Sequence, residues 1–94
     1  MFVVSLIYKR PIAEVEAFIP EHIKFLDKYY TQDKFIFSGR KNPRVGGVIL
    51  AYNLSRPELE ELLTEDPFYR NQIAEYDITE VIPTKYAKAF ECFV

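Results

Sequence analysis

The 94-residue sequence has no tryptophan, a single histidine, a single cysteine and three glycines. A lone cysteine, Cys92, forms no disulfide within the chain, so the fold needs no covalent staple, as suits a reducing cytoplasm. One histidine and one cysteine give no metal-ligand spacing, and the glycines form neither a Walker loop nor a dinucleotide fingerprint. No metal or other cofactor is therefore expected. No apolar run reaches the length of a membrane span, and Met1 to Ile7 is too short to read as a signal and has no basic stretch before it. Positive charge is also scarce: 12 Lys and Arg against 14 Asp and Glu leave a net charge of −2, without the basic footprint of a duplex nucleic-acid binder. What remains is a cytoplasmic protein, and in a chain this small with no disulfide a second copy of itself is the expected source of extra buried surface.

What the chain does have is a core. Apolar residues make up 49% of it and aromatics 16%, in a length that holds one domain, residues 1–94. Residues 2–8 are rich in Val, Ile and aromatics and read as a central strand buried on both faces. Pro11 opens a helix whose apolar stripe runs Val15, Phe18/Ile19, His22, Phe25/Leu26 and Tyr29. Pro20 predicts a kink or a fresh start within it, and Asp33 a left-handed cap at its end. Residues 34–38 alternate, with Phe35 and Phe37 on one side and Ile36 and Ser38 on the other. A loop over residues 39–47 leads to a strand over 48–53. Ser55 and Glu58 form a capping box for a helix buried through Leu59, Leu62 and Leu63. Pro67 ends that helix and opens a short turn, residues 73–82 alternate again, and the tail carrying Phe90 and Cys92 reads as a short strand. Strand, helix, strand, strand, helix, strand is the α+β, ferredoxin-like βαββαβ order, with an antiparallel sheet and both helices on one face. The other face then needs a cover, which a second subunit supplies.

His22 sits on the apolar stripe, where a purely structural helix would carry leucine, and imidazole exchanges protons near neutrality. The bland reading of it is a buried histidine satisfied by a backbone carbonyl. Asp66 before Pro67 is a standard helix start, carboxylate at the cap and Pro at the first position. The same carboxylate has a second oxygen with which to accept a hydrogen bond from His22 and fix its tautomer. Arg40, Lys41 and Arg44 crowd one loop, where an arginine offers paired donors to an anion; Lys41 reads as solvated. Ser38 on the preceding strand places a hydroxyl near the same loop. Cys92 has no basic neighbour and reads as packing.

The chain resembles the YciI-like family (YCII-related domain) of small dimeric α+β proteins. The resemblance rests on four stretches in order: Pro20-Glu21-His22-Ile23-Lys24-Phe25-Leu26, Ser38-Gly39-Arg40, Pro43-Arg44-Val45-Gly46-Gly47 and Asp66-Pro67-Phe68. It implies two ferredoxin-like protomers packed into a dimeric α+β barrel, with His22 and Asp66 in the places of the family's proposed active-site pair. Members have been associated with small-molecule chemistry, including dehydrochlorination of a chlorinated hydroxyhydroquinone. This sequence departs at Arg40, where the family often has Pro, and at Gln72, where it often has Gly; both positions are expected near the pocket. The leading expectation is a cofactor-free enzyme in which His22 and Asp66 are catalytic and Ser38, Arg40 and Arg44 bind a small anionic or phenolic substrate. The alternative is a non-catalytic, small-molecule-binding or structural homodimeric module. RNA binding through Phe35 and Phe37 ranks last on charge.

Overall fold

The computed structural model describes residues 1–94. The chain runs β1 (Phe2–Tyr8), α1 (Ile12–Thr31), β2 (Phe35–Arg40), β3 (Gly46–Ala51), α2 (Arg56–Leu63), α3 (Pro67–Arg70) and β4 (Ala74–Glu80), and ends in a 3₁₀ helix, Lys88–Phe93. The four strands form one antiparallel sheet in the order β2-β3-β1-β4, the ferredoxin-like arrangement, with one short helix, α3, added before the last strand.

Alternation along each strand decides which face is covered. Phe2, Val4 and Leu6 of β1 and Ile49 and Ala51 of β3 meet Val15, Phe25, Leu26 and Tyr29 of α1 and Leu59, Leu62 and Leu63 of α2 in one core. The expected burial of β1 on both faces does not hold within one chain: Val3 and Ser5 are only half-buried and Ile7 is 40% exposed. The two long helices lie on the other side.

Further expectations are corrected. Helix α1 runs unbroken through Pro20, which is exposed. Its missing N–H deprives only the carbonyl of Glu16, itself an exposed residue that water can serve. Phe35 and Phe37 do not share a side, because a register shift between them pairs Phe35 with Ala51 but Phe37 with Leu50. Phe35 is therefore buried and Phe37 is 51% exposed. The tail is a 3₁₀ turn rather than a strand, held by Phe93 edge-on to Tyr52 at 5.3 Å, and Cys92 is exposed rather than packed. The loop is also shorter than expected, since β2 continues to Arg40 and β3 begins at Gly46. Asp33 does take the left-handed conformation, φ 57°, in the turn after α1.

The capping box of α2 is formed: the Glu58 amide donates to Ser55 Oγ at 3.3 Å and the Ser55 amide to Glu58 Oε1 at 3.3 Å. The Ser55 hydroxyl and amide hold the Glu58 carboxyl below its ordinary range. Ser55→Ala is expected to lower the melting temperature by roughly 4–8 °C at neutral pH. A carboxylate stabilised in the folded state contributes above its unfolded pKa and loses that contribution as pH falls through the folded value. The gap between wild type and variant should therefore narrow on acidification, which paired thermal melts at pH 7 and pH 3 would check. A second polar tie joins the end of α1 to the turn after α2, where Glu65 accepts from Lys28 Nζ at 2.6 Å and from the Tyr29 hydroxyl.

Candidate functional site

The segment Asp66-Pro67-Phe68 folds as a single helical turn because Asp66 caps it: the Phe68 amide donates to Asp66 Oδ1 at 3.0 Å, and Pro67 occupies the first helical position. That turn packs against the middle of α1 and brings His22 over it. His22 Nδ1 lies 2.8 Å from the same Oδ1. A carboxylate only accepts, so Nδ1 carries a proton, and in the neutral ring that leaves the lone pair on Nε2.

Two further contacts hold the pair. The His22 ring stacks on Phe68 with centroids 4.1 Å apart and planes 4° from parallel. Asp66 Oδ2 accepts a hydrogen bond from the Tyr76 hydroxyl of β4 at 2.5 Å. Burial, aided by the adjacent Asp66 carboxylate, pushes the Tyr76 phenol far above its ordinary range, so the hydroxyl stays a donor. Asp66 is fully buried, at 0% exposure, whereas the His22 side chain keeps 15%.

That remaining exposure opens onto a cavity of about 290 Å³ between α1, α3 and the sheet. Its apolar wall includes Leu6, Ile19, Leu26, Ile49 and Phe68; its polar residues are His22, Ser38, Arg40 and Arg44, with Tyr8 also in the wall. Ser38 Oγ is paired with the Tyr30 hydroxyl at 2.7 Å. Arg44 is anchored by Nη1 to Glu16 Oε1 at 3.1 Å, while its Nε is buried with no hydrogen-bond partner. A buried donor without an acceptor is costly, and an anionic oxygen in the cavity would relieve it.

Four of the five residues singled out from the sequence therefore line one cavity, and the fifth, Asp66, lies directly behind His22. Lys41 is elsewhere, with Nζ on Ser5 Oγ at 2.8 Å on the uncovered side of the sheet. Gln72 does not line this cavity; it borders a separate recess with Lys9, Tyr69 and Tyr76 and holds φ 52°, the backbone setting in which glycine is favoured. The sequence reading missed Tyr76, Tyr30 and Phe68. All seven tyrosines look alike in a list, and only the place of Tyr76 at an inward position of β4 distinguished it.

Comparison with known proteins bears on this arrangement. A model of the YCII-related domain matches residues 1–82. No curated protein matches. Among solved structures, the chain is similar to TftG, a 5-chloro-2-hydroxyhydroquinone dehydrochlorinase from Burkholderia phenoliruptrix AC1100, in complex with 2,5-dihydroxybenzoquinone. The TM-score is 0.72 at 15% identity, over 95% of this chain and 98% of that one, a likeness of fold. No helix is long and apolar enough to cross a membrane.

Proposed function

The chain belongs to the YCII-related domain family, and from that premise we propose that it is a small-molecule enzyme in which His22 and Asp66 move a proton on a small anionic or phenolic substrate. The observation that carries the reading is a histidine with Nδ1 committed to a buried carboxylate and its other nitrogen free at a cavity that also holds two arginines. Nε2 takes a proton from the substrate, and Asp66 stabilises the imidazolium that forms. Arg44 and Arg40 offset the negative charge left on the substrate, and the Ser38 hydroxyl donates to one of its oxygens. The freed electron pair then expels a leaving group, as in an elimination, or takes a proton back at another atom, as in an isomerisation. The quinonoid ligand of the structural neighbour, planar, oxygen-rich and readily ionised, is of the class such a cavity suits.

The homodimer belongs to the same proposal. The outer sheet face presents Ile7 and Phe37, with Val3 and Val48 half-buried beside them, and a second sheet packed on it would form the barrel. A single species of dimer mass in sedimentation supports this, and a monomer at micromolar concentration sinks it.

The function is tested by titrating the protein with 2,5-dihydroxybenzoquinone and screening chlorinated and hydroxylated quinols for turnover. His22→Gln keeps a hydrogen-bonding side chain but cannot cycle a proton. It is expected to retain probe binding and to lose turnover. Turnover that survives the substitution excludes His22 as the base, and probe binding without turnover by the wild type favours the non-catalytic module.

A further inference from the structure

Asp66 has more partners than a helix cap requires. A cap uses one carboxylate oxygen, and Oδ1 already serves both the Phe68 amide and His22 Nδ1. Oδ2 nevertheless has its own donor, the Tyr76 hydroxyl at 2.5 Å, delivered from a different element ten residues on. Tyr76 does not line the cavity beside His22; it lies behind Asp66, with its ring edge against Tyr69 at a centroid distance of 5.7 Å. Whatever its hydroxyl does for the site is therefore done through the carboxylate.

We propose that Tyr76 is a positioning residue: its hydroxyl pins Asp66 Oδ2 so that Oδ1 stays directed at His22 Nδ1, which holds the imidazole in the tautomer that presents a bare Nε2 to the cavity. This rests on His22 being the acting group. The geometry explains why one donor is not enough. With Oδ1 alone engaged, the carboxyl group turns about its bond to Cβ with little to oppose it, and the His22 bond lengthens as it turns. Donors on both oxygens, from α3, α1 and β4, fix the carboxyl plane against rotation. Burial keeps the phenol protonated, so this donor persists wherever the protein is folded. The Phe68 stack sets the position of the imidazole ring, and the carboxylate sets which nitrogen holds its proton.

The chain has one histidine, so its two ring-nitrogen resonances belong to His22, and their couplings to the ring C–H protons tell Nδ1 from Nε2. In mildly alkaline solution, where free imidazole is neutral, the ¹⁵N shifts of His22 should report the Nδ1–H tautomer in the wild type. Tyr76→Phe removes only the hydroxyl, and the ratio of Nδ1–H to Nε2–H is expected to fall about tenfold, the worth of one hydrogen bond to a carboxylate. Tyr69→Phe, which keeps the edge contact and removes no donor from Asp66, should leave the ratio unchanged. If Tyr76→Phe lowers the melting temperature but not the ratio, Tyr76 is a packing residue and the proposal fails. Should the variant not fold, the wild type still decides: the Tyr76 hydroxyl proton must appear as an exchange-protected resonance, and its absence overturns the assignment. The readout needs no turnover. A tautomer shift in a protein that processes no substrate would uphold the positioning role while removing the enzyme.

Discussion

Asp66→Ala is expected to destabilise the fold by about 3–5 kcal/mol, the range for removing one member of a buried charged network. The change strands three groups at once: the Phe68 amide, the Tyr76 hydroxyl and the His22 ring, around a side chain with no solvent exposure. Each buried donor left without an acceptor costs about 1–3 kcal/mol, and water reaching the vacated space recovers part of the sum. Urea denaturation would measure the loss; a cost under about 1 kcal/mol would mean that the network is not formed in solution. Asp66→Asn separates structure from chemistry. The amide oxygen still accepts from Phe68 and His22, and its NH₂ meets Tyr76, whose hydroxyl can turn to accept, so most of the stability should return. Turnover should not return, because a neutral amide does not stabilise an imidazolium. A fall of roughly 10²–10⁴-fold is expected with substrate binding little changed.

Gly46→Ala is expected to be worse, costing more than about 4 kcal/mol or preventing folding, because the obstruction is backbone. A Cβ on Gly46 would lie 1.8 Å from the Leu6 carbonyl oxygen and 2.8 Å from its carbon. No rotamer relieves such a contact. The β1–β3 ladder must open at the end where Gly46 pairs with Ile7 and where the Tyr8 amide donates to the Val45 carbonyl at 2.9 Å. Leu6, Tyr8 and Gly47 at that end also wall the cavity, so the site would be lost with the strand pairing. Gly39→Ala is the control. Nothing lies within 4 Å of its Cβ position and its φ is not positive, so stability near wild type is expected from far-UV circular dichroism melts. Equal effects at the two glycines would mean that β1 and β3 do not pair as described.

The contrast between these glycines shows where reading a sequence stops. Gly39, Gly46 and Gly47 stand in or beside one loop-like stretch, and local pattern treats them alike. What separates Gly46 is the approach of a strand about 40 positions away in the chain, a long-range packing fact.

Local rules determined much of this protein. The strand character of residues 2–8, the alternation of β4, the three-and-four spacing of Val15, Phe25, Leu26 and Tyr29, the capping box at Ser55 and the cap at Asp66 each act within a few residues, and all are present in the structure. The order of elements follows from them, and with it the ferredoxin-like sheet. A histidine on an apolar stripe and an aspartate before Pro67 were likewise visible as departures from what a core or a loop alone would call for.

Tertiary structure decided the rest of the site. Strict alternation from a buried Phe35 would point Phe37 and Gly39 inward and turn Ser38 and Arg40 away. The register shift between Phe35 and Phe37 reverses this, so Ser38 and Arg40 reach the cavity and Phe37 joins the uncovered face. One extra residue in a strand inverts every side chain beyond it, and no local preference in Phe-Ile-Phe-Ser announces where it falls. Tyr76 became a partner of Asp66 only because β4 pairs with β1 in the register that sets Tyr76 opposite Leu6, on the inward side. The sequence by itself determined most of the elements and marked His22, Asp66, Ser38, Arg40 and Arg44 as candidates, because those readings depend on neighbours within a turn, a pleat or a loop. Which side chains face one another across the cavity depends on strand register and on packing between elements far apart in the chain, as with the 44 positions between His22 and Asp66, and these exist only once the chain has folded.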